Sequence, residues 1–289
     1  MIWEKLLEKK RIELCKSSEY LEGFAAVDIS ADMRAALNAV QQAAESILNK
    51  LKIQEGRVNF TNKDEKKGYV TEFDQLSESV IKQVLSNYAN YSLLGEEGSS
   101  LTTSSEKTWI IDPIDGTTNF VMDMSFSAIS VAMKHHDEFV LGIIRELHTG
   151  DIYFAEEGKG AYKNGKRITV VQHSDNPLVF INNGYSNASK ENAGLQLAKL
   201  ASIIGDFRKF GSTAYELACL AEGKAAAFIA SGDEIWDYAA GLVIVKEAGG
   251  HVTDWRGDPF EFKSSYIIAS NGDRSLHKKL VEASSDLQI

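Results

Sequence analysis

Two carboxylates three residues apart, Asp112 and Asp115, stand in the stretch WIIDPIDGTTNF at residues 109–120. Apolar residues precede Asp112, and Pro113 restricts it to an extended conformation, so we predict that a buried strand ends there. The four residues from Asp112 to Asp115 fit a type I turn, which would bring both carboxylates to one side. At ~4 Å and an effective dielectric of ~20, they would repel each other by ~4 kcal/mol. This repulsion predicts a bound cation.

The neighbouring residues make Mg²⁺ the expected cation and phosphate its expected partner. The turn leaves the carbonyl of Ile114 without a strand partner, so this carbonyl is free to act as an oxygen ligand. Gly116 and Thr117 would open a helix, and the free amides at a helix start attract phosphate. Hard oxygen ligands beside such an anion site suit Mg²⁺. For the short Asp-x-x-Asp-Gly string alone, an ordinary turn is the alternative interpretation, because these residue types are common in turns.

The full string at 109–120 resembles a signature of the inositol monophosphatase family, whose members are Mg²⁺-dependent, lithium-sensitive phosphatases. The resemblance extends from about residue 30 to the end of the chain. Further segments resemble family landmarks in the same order: VTEFD at 70–74, GEE at 95–97, GKGAYKNGKRI at 158–168 and WDYAAGLVIVKEAGG at 236–250.

The resemblance implies a role for each matching residue, and a set of two or three Mg²⁺ ions. Asp74 and Thr117 would orient and deprotonate the attacking water. The implied metal ligands are Glu96, Asp112, the Ile114 carbonyl, Asp115 and Asp237. The implied substrate-binding residues are Asp112, Ile114, Asp115, Gly116, Thr117, Gly211, Ser212, Thr213 and Asp237, with Lys63 and Arg208 as further candidates.

Three of these residues also have a purely structural interpretation. Asp237 stands one residue into an apolar helical pattern, where a carboxylate can serve as a helix start signal. Ser212 could be the N-cap of the next helix. Lys63 lies in the charge run NKDEKKG, which is typical of a solvated loop.

One position departs from the family pattern and leaves the substrate open. Members that hydrolyse inositol phosphate usually place a glutamate that binds ring hydroxyls seven residues before the aspartate numbered 237 here, and this chain has Ala230. Asp233 and Glu234 are neighbouring acids that could substitute. We predict a Mg²⁺-dependent phosphomonoesterase for a small polyol or sugar phosphate, with inositol-1-phosphate as the default substrate. The alternatives are fructose 1,6-bisphosphate, a 3′-phosphonucleotide or NADP as substrate, and a catalytically silent binding protein.

The apolar pattern predicts the helices and strands that must position these residues. Apolar residues recur at helical spacing from Ser30, a predicted N-cap, to Leu51, and again from about Asp74 to Tyr88. Residues 126–171 read as an antiparallel meander that includes an Asn-Gly hairpin turn at 164–165. After Pro177, strands and helices alternate.

These elements predict an α/β fold, a layered αβαβα sandwich in two halves. We expect an N-terminal α+β half at residues 29–170, with the meander sheet and most metal ligands. A C-terminal α/β half at 171–289 would supply the substrate-lining residues and Asp237. Residues 1–28 are expected to be an extra helical segment.

Composition limits the classes of partner. The 289-residue chain has a formal charge of -10, which argues against nucleic acid or an anionic membrane surface as partner. No apolar run approaches the ~20 residues of a membrane span, and the N-terminus lacks a signal-peptide core. Cys15 and Cys219 belong to no CxxC motif, so we expect reduced thiols in the cytoplasm. Zinc is not expected, because none of the six histidines falls in a metal-spaced pair. The family resemblance suggests a homodimer.

Overall fold

The computed structural model describes residue 24 and residues 27–62, 68–172, 175–183, 187–261, 264 and 266–285. The candidate Lys63 lies outside the described residues, and so does all of the predicted segment 1–28 except Phe24, Val27 and Asp28. None of the helices in these ranges is long and apolar enough to cross a bilayer.

The described chain forms helices around an eight-stranded sheet, a five-stranded sheet and a two-stranded hairpin. The helices are α1 (Ala31–Ile53), α2 (Glu72–Tyr88), α3 (Thr117–Val121), α4 (Asn187–Leu200), α5 (Thr213–Ala221), α6 (Ile235–Glu247) and α7 (Arg274–Ser285). The strands are β1 (Phe60–Asn62), β2 (Tyr69–Thr71), β3 (Ser92–Gly95), β4 (Ser100–Leu101), β5 (Lys107–Asp115), β6 (Ala128–His135), β7 (Glu138–Glu146), β8 (Ile152–Glu156), β9 (Gly160–Lys163), β10 (Lys166–Ile168), β11 (Leu178–Asn183), β12 (Asp206–Arg208), β13 (Ala227–Ser231), β14 (His251–Thr253) and β15 (Tyr266–Ser270).

Side-chain caps determine where the first two long helices begin. The hydroxyl of Ser30 accepts a hydrogen bond from the amide of Met33 at 3.1 Å, which confirms the predicted N-cap of α1. Helix α2 begins two residues before the predicted start at Asp74. Thr71 caps it, and the Asp74 carboxylate accepts a 2.8 Å hydrogen bond from the Thr71 amide, so the two form a capping box.

The eight-stranded sheet has the order β10-β9-β8-β7-β6-β5-β3-β4. Strands β6 to β10 form the predicted antiparallel meander, β5 pairs antiparallel with β6, and β3 runs parallel to β5. The β9–β10 hairpin turns at Asn164 and Gly165, with φ angles of 49° and 75°, because Asn and Gly tolerate the left-handed conformation that this turn needs.

The five-stranded sheet has the order β12-β11-β13-β15-β14 and mixes parallel with antiparallel pairs. Helices α5 and α6 pack between the two sheets. Helix α6 crosses β7 so closely that a Cβ on Gly142 would collide with the backbone of Ala240. Helices α1 and α2 cover the outer face of the first sheet, and α4 and α7 cover that of the second. The layer order is therefore αβαβα, as predicted.

The end of β5 differs from the prediction. Instead of stopping at Asp112 in a type I turn, the strand continues to Asp115 through a bulge. Asp112 pairs with Ser130 of β6 and Asp115 pairs with Ala128, with a register shift between them. Pro113 has no amide hydrogen to donate to a ladder, and a bulge is where a strand tolerates that loss.

Candidate active site

Parallel pairing places Glu96 beside Asp112. Gly95, the last residue of β3, pairs with Ile111 of β5, and the amide of Glu96 donates to the Ile111 carbonyl at 3.2 Å. Glu96 directly follows β3 and Asp112 directly follows Ile111 within the parallel strand β5, so the two acids lie side by side on the same side of the sheet. Both line one cleft.

Helix α2 holds the loop that carries Glu96. The buried carboxylate of Glu78 accepts hydrogen bonds from the amides of Glu97 and Ser99, both at 2.9 Å. The hydroxyl of Ser77 donates to the Pro113 carbonyl at 2.9 Å, which ties the same helix to the bulge in β5.

Asp237 reaches this cleft from the other half of the molecule. It lies in the first turn of α6, where its carboxylate accepts a 2.7 Å hydrogen bond from the Glu234 amide and completes a capping box. One carboxylate oxygen each of Asp112, Asp115 and Asp237 lies within 4.8 Å of the other two. Asp237 is therefore both a helix start and a member of the acidic group, so its two interpretations are compatible.

Exclusion from water makes the charged form of these acids unfavourable. Burial, reinforced by the neighbouring acids, raises the pKa of Asp112 and Asp237 well above the ordinary range. Burial also raises the pKa of Asp115 to about 7, although two hydrogen bonds oppose the shift. The donors are the Ser212 hydroxyl at 2.6 Å and the Ala214 amide at 2.7 Å. A bound divalent cation would remove this penalty.

Asp74 and Thr117 also meet, as predicted. The Thr117 hydroxyl lies 3.2 Å from Asp74 Oδ1 and 2.9 Å from the Ile114 carbonyl oxygen. Burial raises the pKa of Asp74 to about 6, and hydrogen bonds from Thr71 oppose the shift. The Ile114 carbonyl was expected to have no strand partner, and the Thr117 side-chain hydroxyl is within donating distance of it.

Gly116 is the N-cap of α3 and permits close contact between the two halves. Its φ is +81°, and a Cβ there would lie 2.8 Å from the Phe126 carbonyl oxygen and 3.1 Å from the Ser212 Cβ. Asn119, in the next turn, donates to the carbonyls of Phe126 at 2.8 Å and Phe210 at 2.7 Å. The Gly-Thr-Thr-Asn stretch thus joins the loop after α3 to the segment before α5.

The substrate-lining candidates before α5 divide into two groups. Gly211 and Thr213 line the cleft. Ser212 is buried, caps α5 and donates to Asp115, so it supports a metal-ligand candidate from behind. Arg208 lies on the edge strand β12, in an ion pair with Asp206 at 2.7 Å, and Lys209 lines the cleft instead.

A row of polar side chains lies on the second sheet's side of the cleft; Thr213 and Asp233 were named from the sequence, whereas Asn182 was not. The Asn182 amide donates to the Thr213 hydroxyl, and that hydroxyl donates to Asp233 Oδ2 at 2.7 Å. Burial raises the pKa of Asp233 to about 6, against the effects of Thr213 and Lys209. Ala230 is buried against the central helices. Asp233, already noted as a neighbouring acid, is therefore the one that faces the cleft with Thr213.

The cleft has a volume of about 120 Å³ and a strongly acidic lining. Of the residues in the described part of the chain that line it, five are acids and one, Lys209, is a base. The acids are Glu96, Asp112, Asp115, Asp233 and Asp237. A phosphate dianion would be repelled from such a cleft unless cations were bound first.

The layered fold and the acidic residues on neighbouring strands match a known family. The model of the inositol monophosphatase family matches residues 21–288, nine residues earlier than the sequence resemblance begins. The chain belongs to this family, and it is accordingly a metal-dependent phosphoric monoester hydrolase.

Three relatives illustrate the match. The inositol-1-monophosphatase of Rhizobium meliloti is 34% identical over 208 residues, covering 70% of this chain and 78% of its own. The extragenic suppressor protein SuhB of Bartonella henselae has a TM-score of 0.82 at 29% identity, over 89% of this chain and 99% of its own. SaIMPase-II has been solved with inositol monophosphate (TM-score 0.72, 26% identity, 86% and 92% coverage) and with 2′-AMP (TM-score 0.71, 27% identity, 87% and 92% coverage).

Proposed function

We propose that the protein is a Mg²⁺-dependent phosphomonoesterase that hydrolyses a small polyol or sugar phosphate, with inositol-1-phosphate as the first candidate. The observation that carries this proposal is the group formed by buried Asp112 and Asp115 and half-buried Asp237, whose carboxylate oxygens converge within 4.8 Å in a cleft with one described base. Such a cleft can accept phosphate only together with cations, which is the property that a metal-dependent phosphatase needs.

The donor atoms fit Mg²⁺. The candidate ligands are carboxylates of Glu96, Asp112, Asp115 and Asp237 and the carbonyl of Ile114, which are all hard oxygen donors. We propose that they hold two or three ions. When bound, Mg²⁺ would neutralise the phosphate charge and lower the pKa of water at the site.

Asp74 and Thr117 are proposed to orient the attacking water and accept its proton. When the hydroxyl of Thr117, a residue that lines the cleft, donates to Asp74 3.2 Å away, its oxygen can still accept a hydrogen bond from water. The capping box holds the Asp74 carboxylate in place. A pKa of about 6 suits a group that takes up a proton near neutral pH.

The row formed by Asn182, Thr213 and Asp233 favours a leaving group rich in hydroxyls. The carboxylate of Asp233 and the hydroxyl of Thr213 lie side by side and can bind the hydroxyls of a polyol ring. We propose that they replace the ring-binding glutamate that other family members have at the position of Ala230. SaIMPase-II with inositol monophosphate supports this choice. SaIMPase-II with 2′-AMP favours a second candidate, a nucleotide 2′- or 3′-phosphate such as that of NADP. Fructose 1,6-bisphosphate remains a third.

Phosphate release with and without Mg²⁺ tests the proposal across inositol-1-phosphate, fructose 1,6-bisphosphate, 2′-AMP, 3′-phosphoadenosine 5′-phosphate and NADP. We expect Mg²⁺-dependent release with the highest kcat/KM for inositol-1-phosphate. A higher kcat/KM for 2′-AMP and NADP would replace the polyol assignment by the nucleotide one. No release from any of them, by folded protein with Mg²⁺, would contradict the proposed substrate class.

The family resemblance also leads us to propose a cytoplasmic homodimer. Light scattering of the purified protein should give twice the mass of the chain, which is 31.8 kDa. A single-chain mass at micromolar concentration would refute the dimer. Fractionation of the producing cells would test the location.

A further inference from the structure

A second group of metal-ligating side chains lies at the other end of β5 and β6. Glu106 precedes β5, and His135 and His136 lie where β6 turns into β7. One carboxylate oxygen of Glu106 and one ring nitrogen of each histidine lie within 4.8 Å of one another. His135 is seven residues along β6 from Ala128, which pairs with Asp115. At ~3.3 Å per residue, the group lies ~23 Å from the cleft.

The backbone holds these three side chains together. The amide of His136 donates to the carbonyl of Glu106 at 3.2 Å. In the same antiparallel register, Lys107 pairs with His135, so Glu106 lies opposite His136. His136 has a φ of +54°, and its ring stacks on that of His135 with centroids 4.4 Å apart. The turn therefore brings the two rings to the carboxylate before any ligand binds.

The distances within the group suit a shared ion better than hydrogen bonds. Glu106 Oε2 lies 3.5 Å from His136 Nε2 and 3.8 Å from His135 Nε2, beyond the ~2.7–3.2 Å of an N–H···O hydrogen bond. Around tetrahedral zinc with bonds of ~2.0–2.1 Å, neighbouring ligand atoms are ~3.3–3.4 Å apart. The three side chains are 40% to 68% exposed, so the rings can rotate to direct both lone pairs at one ion.

We propose that Glu106, His135 and His136 bind one divalent transition-metal ion of the zinc class, with water completing the coordination. Imidazole nitrogens suit Zn²⁺, Ni²⁺ and Cu²⁺, whereas Mg²⁺ prefers an all-oxygen set such as the one in the cleft. The two ends of the sheet thus select different classes of metal. This second site is independent of the proposed substrate.

Calorimetric titration of Zn²⁺ into Mg²⁺-saturated protein tests the site. The wild type should bind one equivalent of Zn²⁺ outside the cleft, and Asp237→Asn should retain that equivalent. His136→Gln and Glu106→Gln should weaken this binding at least ~10-fold, because each removes one of three ligands. His148→Gln, which removes a histidine elsewhere, is the matched control and should bind as the wild type does.

Two outcomes would overturn the proposal. Zn²⁺ binding that is unchanged in both His136→Gln and Glu106→Gln would place the ion elsewhere. Zn²⁺ binding that disappears in Asp237→Asn would assign it to the cleft. Circular dichroism of each variant verifies that it is folded, and Mg²⁺-dependent phosphate release by Glu106→Gln should equal that of the wild type.

Discussion

Strands β5 and β6 carry a group of metal-ligating side chains at each end, and the two groups differ in burial. At the cleft end, Asp112 and Asp115 are buried, Asp237 is half-buried, and the acids raise one another's pKa, whereas Glu106 and the two histidines are more exposed. Buried like charges destabilise the metal-free fold, but they also bind cations strongly in a site that excludes water. The comparison leads us to expect that burial distinguishes the group proposed for catalysis from the group proposed only for metal binding.

The largest effect should come from Asp112→Asn, which removes one buried carboxylate. Phosphate release should fall by ~10³-fold or more, because metal stabilisation is worth several kcal/mol. The free energy of unfolding of the metal-free protein at pH 8 should rise by ~1–3 kcal/mol, the scale of the lost repulsion. The asparagine oxygen can still accept the hydrogen bond from the Ile114 amide. Enzyme assay and chemical denaturation measure the two effects.

The matched control for this change is Glu106→Gln at the exposed end. It removes the same charge from a solvated carboxylate, so turnover should be unchanged and stability should shift by less than ~0.5 kcal/mol. Equal stability changes in the two variants would show that burial does not distinguish the two groups.

The next largest effect should come from Thr117→Val, which keeps the shape of the side chain and removes its hydroxyl. If this hydroxyl links water to Asp74, kcat should fall ~10²–10⁴-fold with little change in KM. Thr117→Ser retains the hydroxyl and should recover most of the rate. Steady-state kinetics on the preferred substrate separate the cases, and a valine variant with near-wild-type kcat would remove Thr117 from the mechanism.

Asp233→Asn should have a smaller and more selective effect. A hydrogen bond to a charged group contributes ~1.5–3 kcal/mol, so KM for inositol-1-phosphate should rise ~10–100-fold. The Mg²⁺ dependence and the KM for 2′-AMP should change little, because neither needs a polyol-binding carboxylate. An equal loss for all substrates would instead mean that Asp233 supports the metal site.

The buried His277 should affect how the stability of the protein depends on pH. It is buried, lies within hydrogen-bonding distance of Thr253 and Ser270 at 2.9 and 2.8 Å, and burial together with His251 lowers its pKa to about 4. Since the unfolded chain binds this proton near pH 6.5, the contribution of His277 to stability should be largest above pH 6.5. It should fall by ~3 kcal/mol as the pH drops to ~4.

The contribution of His277 is isolated by comparing how the free energy of unfolding depends on pH in the wild type and in His277→Asn. The cleft carboxylates titrate in both proteins, so their contribution cancels in the difference. Between pH 4 and 8, the free energy of unfolding of the wild type minus that of the variant should increase with pH by ~3 kcal/mol. If the free energy of unfolding had the same pH dependence in His277→Asn and in the wild type, the lowered pKa of His277 would be refuted.

Local signals in the sequence were sufficient to predict most of the fold. The Ser30 cap, the Asn164–Gly165 turn and the change from meander to alternating elements each depend on neighbouring residues, and the structure has all three. The end of β5 was predicted wrongly. The proline does interrupt the ladder, but pairing with β6 resumes at Asp115, and tertiary pairing of this kind is invisible in a local pattern.

The predicted cleft residues were found through the family signatures, which do not reveal what the supporting side chains contact. Glu78 and Asn119 act through backbone groups of distant segments, and Asp233 faces the cleft only because of how β13 leads into α6. The histidine group was missed for the same reason. Adjacent histidines do not look like a metal motif, and Glu106 lies about 30 residues away in sequence.

The most direct test of the central claim is the Mg²⁺ dependence of inositol-1-phosphate hydrolysis in wild type and Asp237→Asn, starting from chelator-treated protein. We predict no phosphate release without metal, recovery on adding Mg²⁺ to the wild type, and little recovery in the variant, because Asp237 brings the second half of the molecule to the acidic group. Full activity in chelator, or equal Mg²⁺ curves for the two proteins, would contradict the assignment of this cleft as the metal-dependent active site.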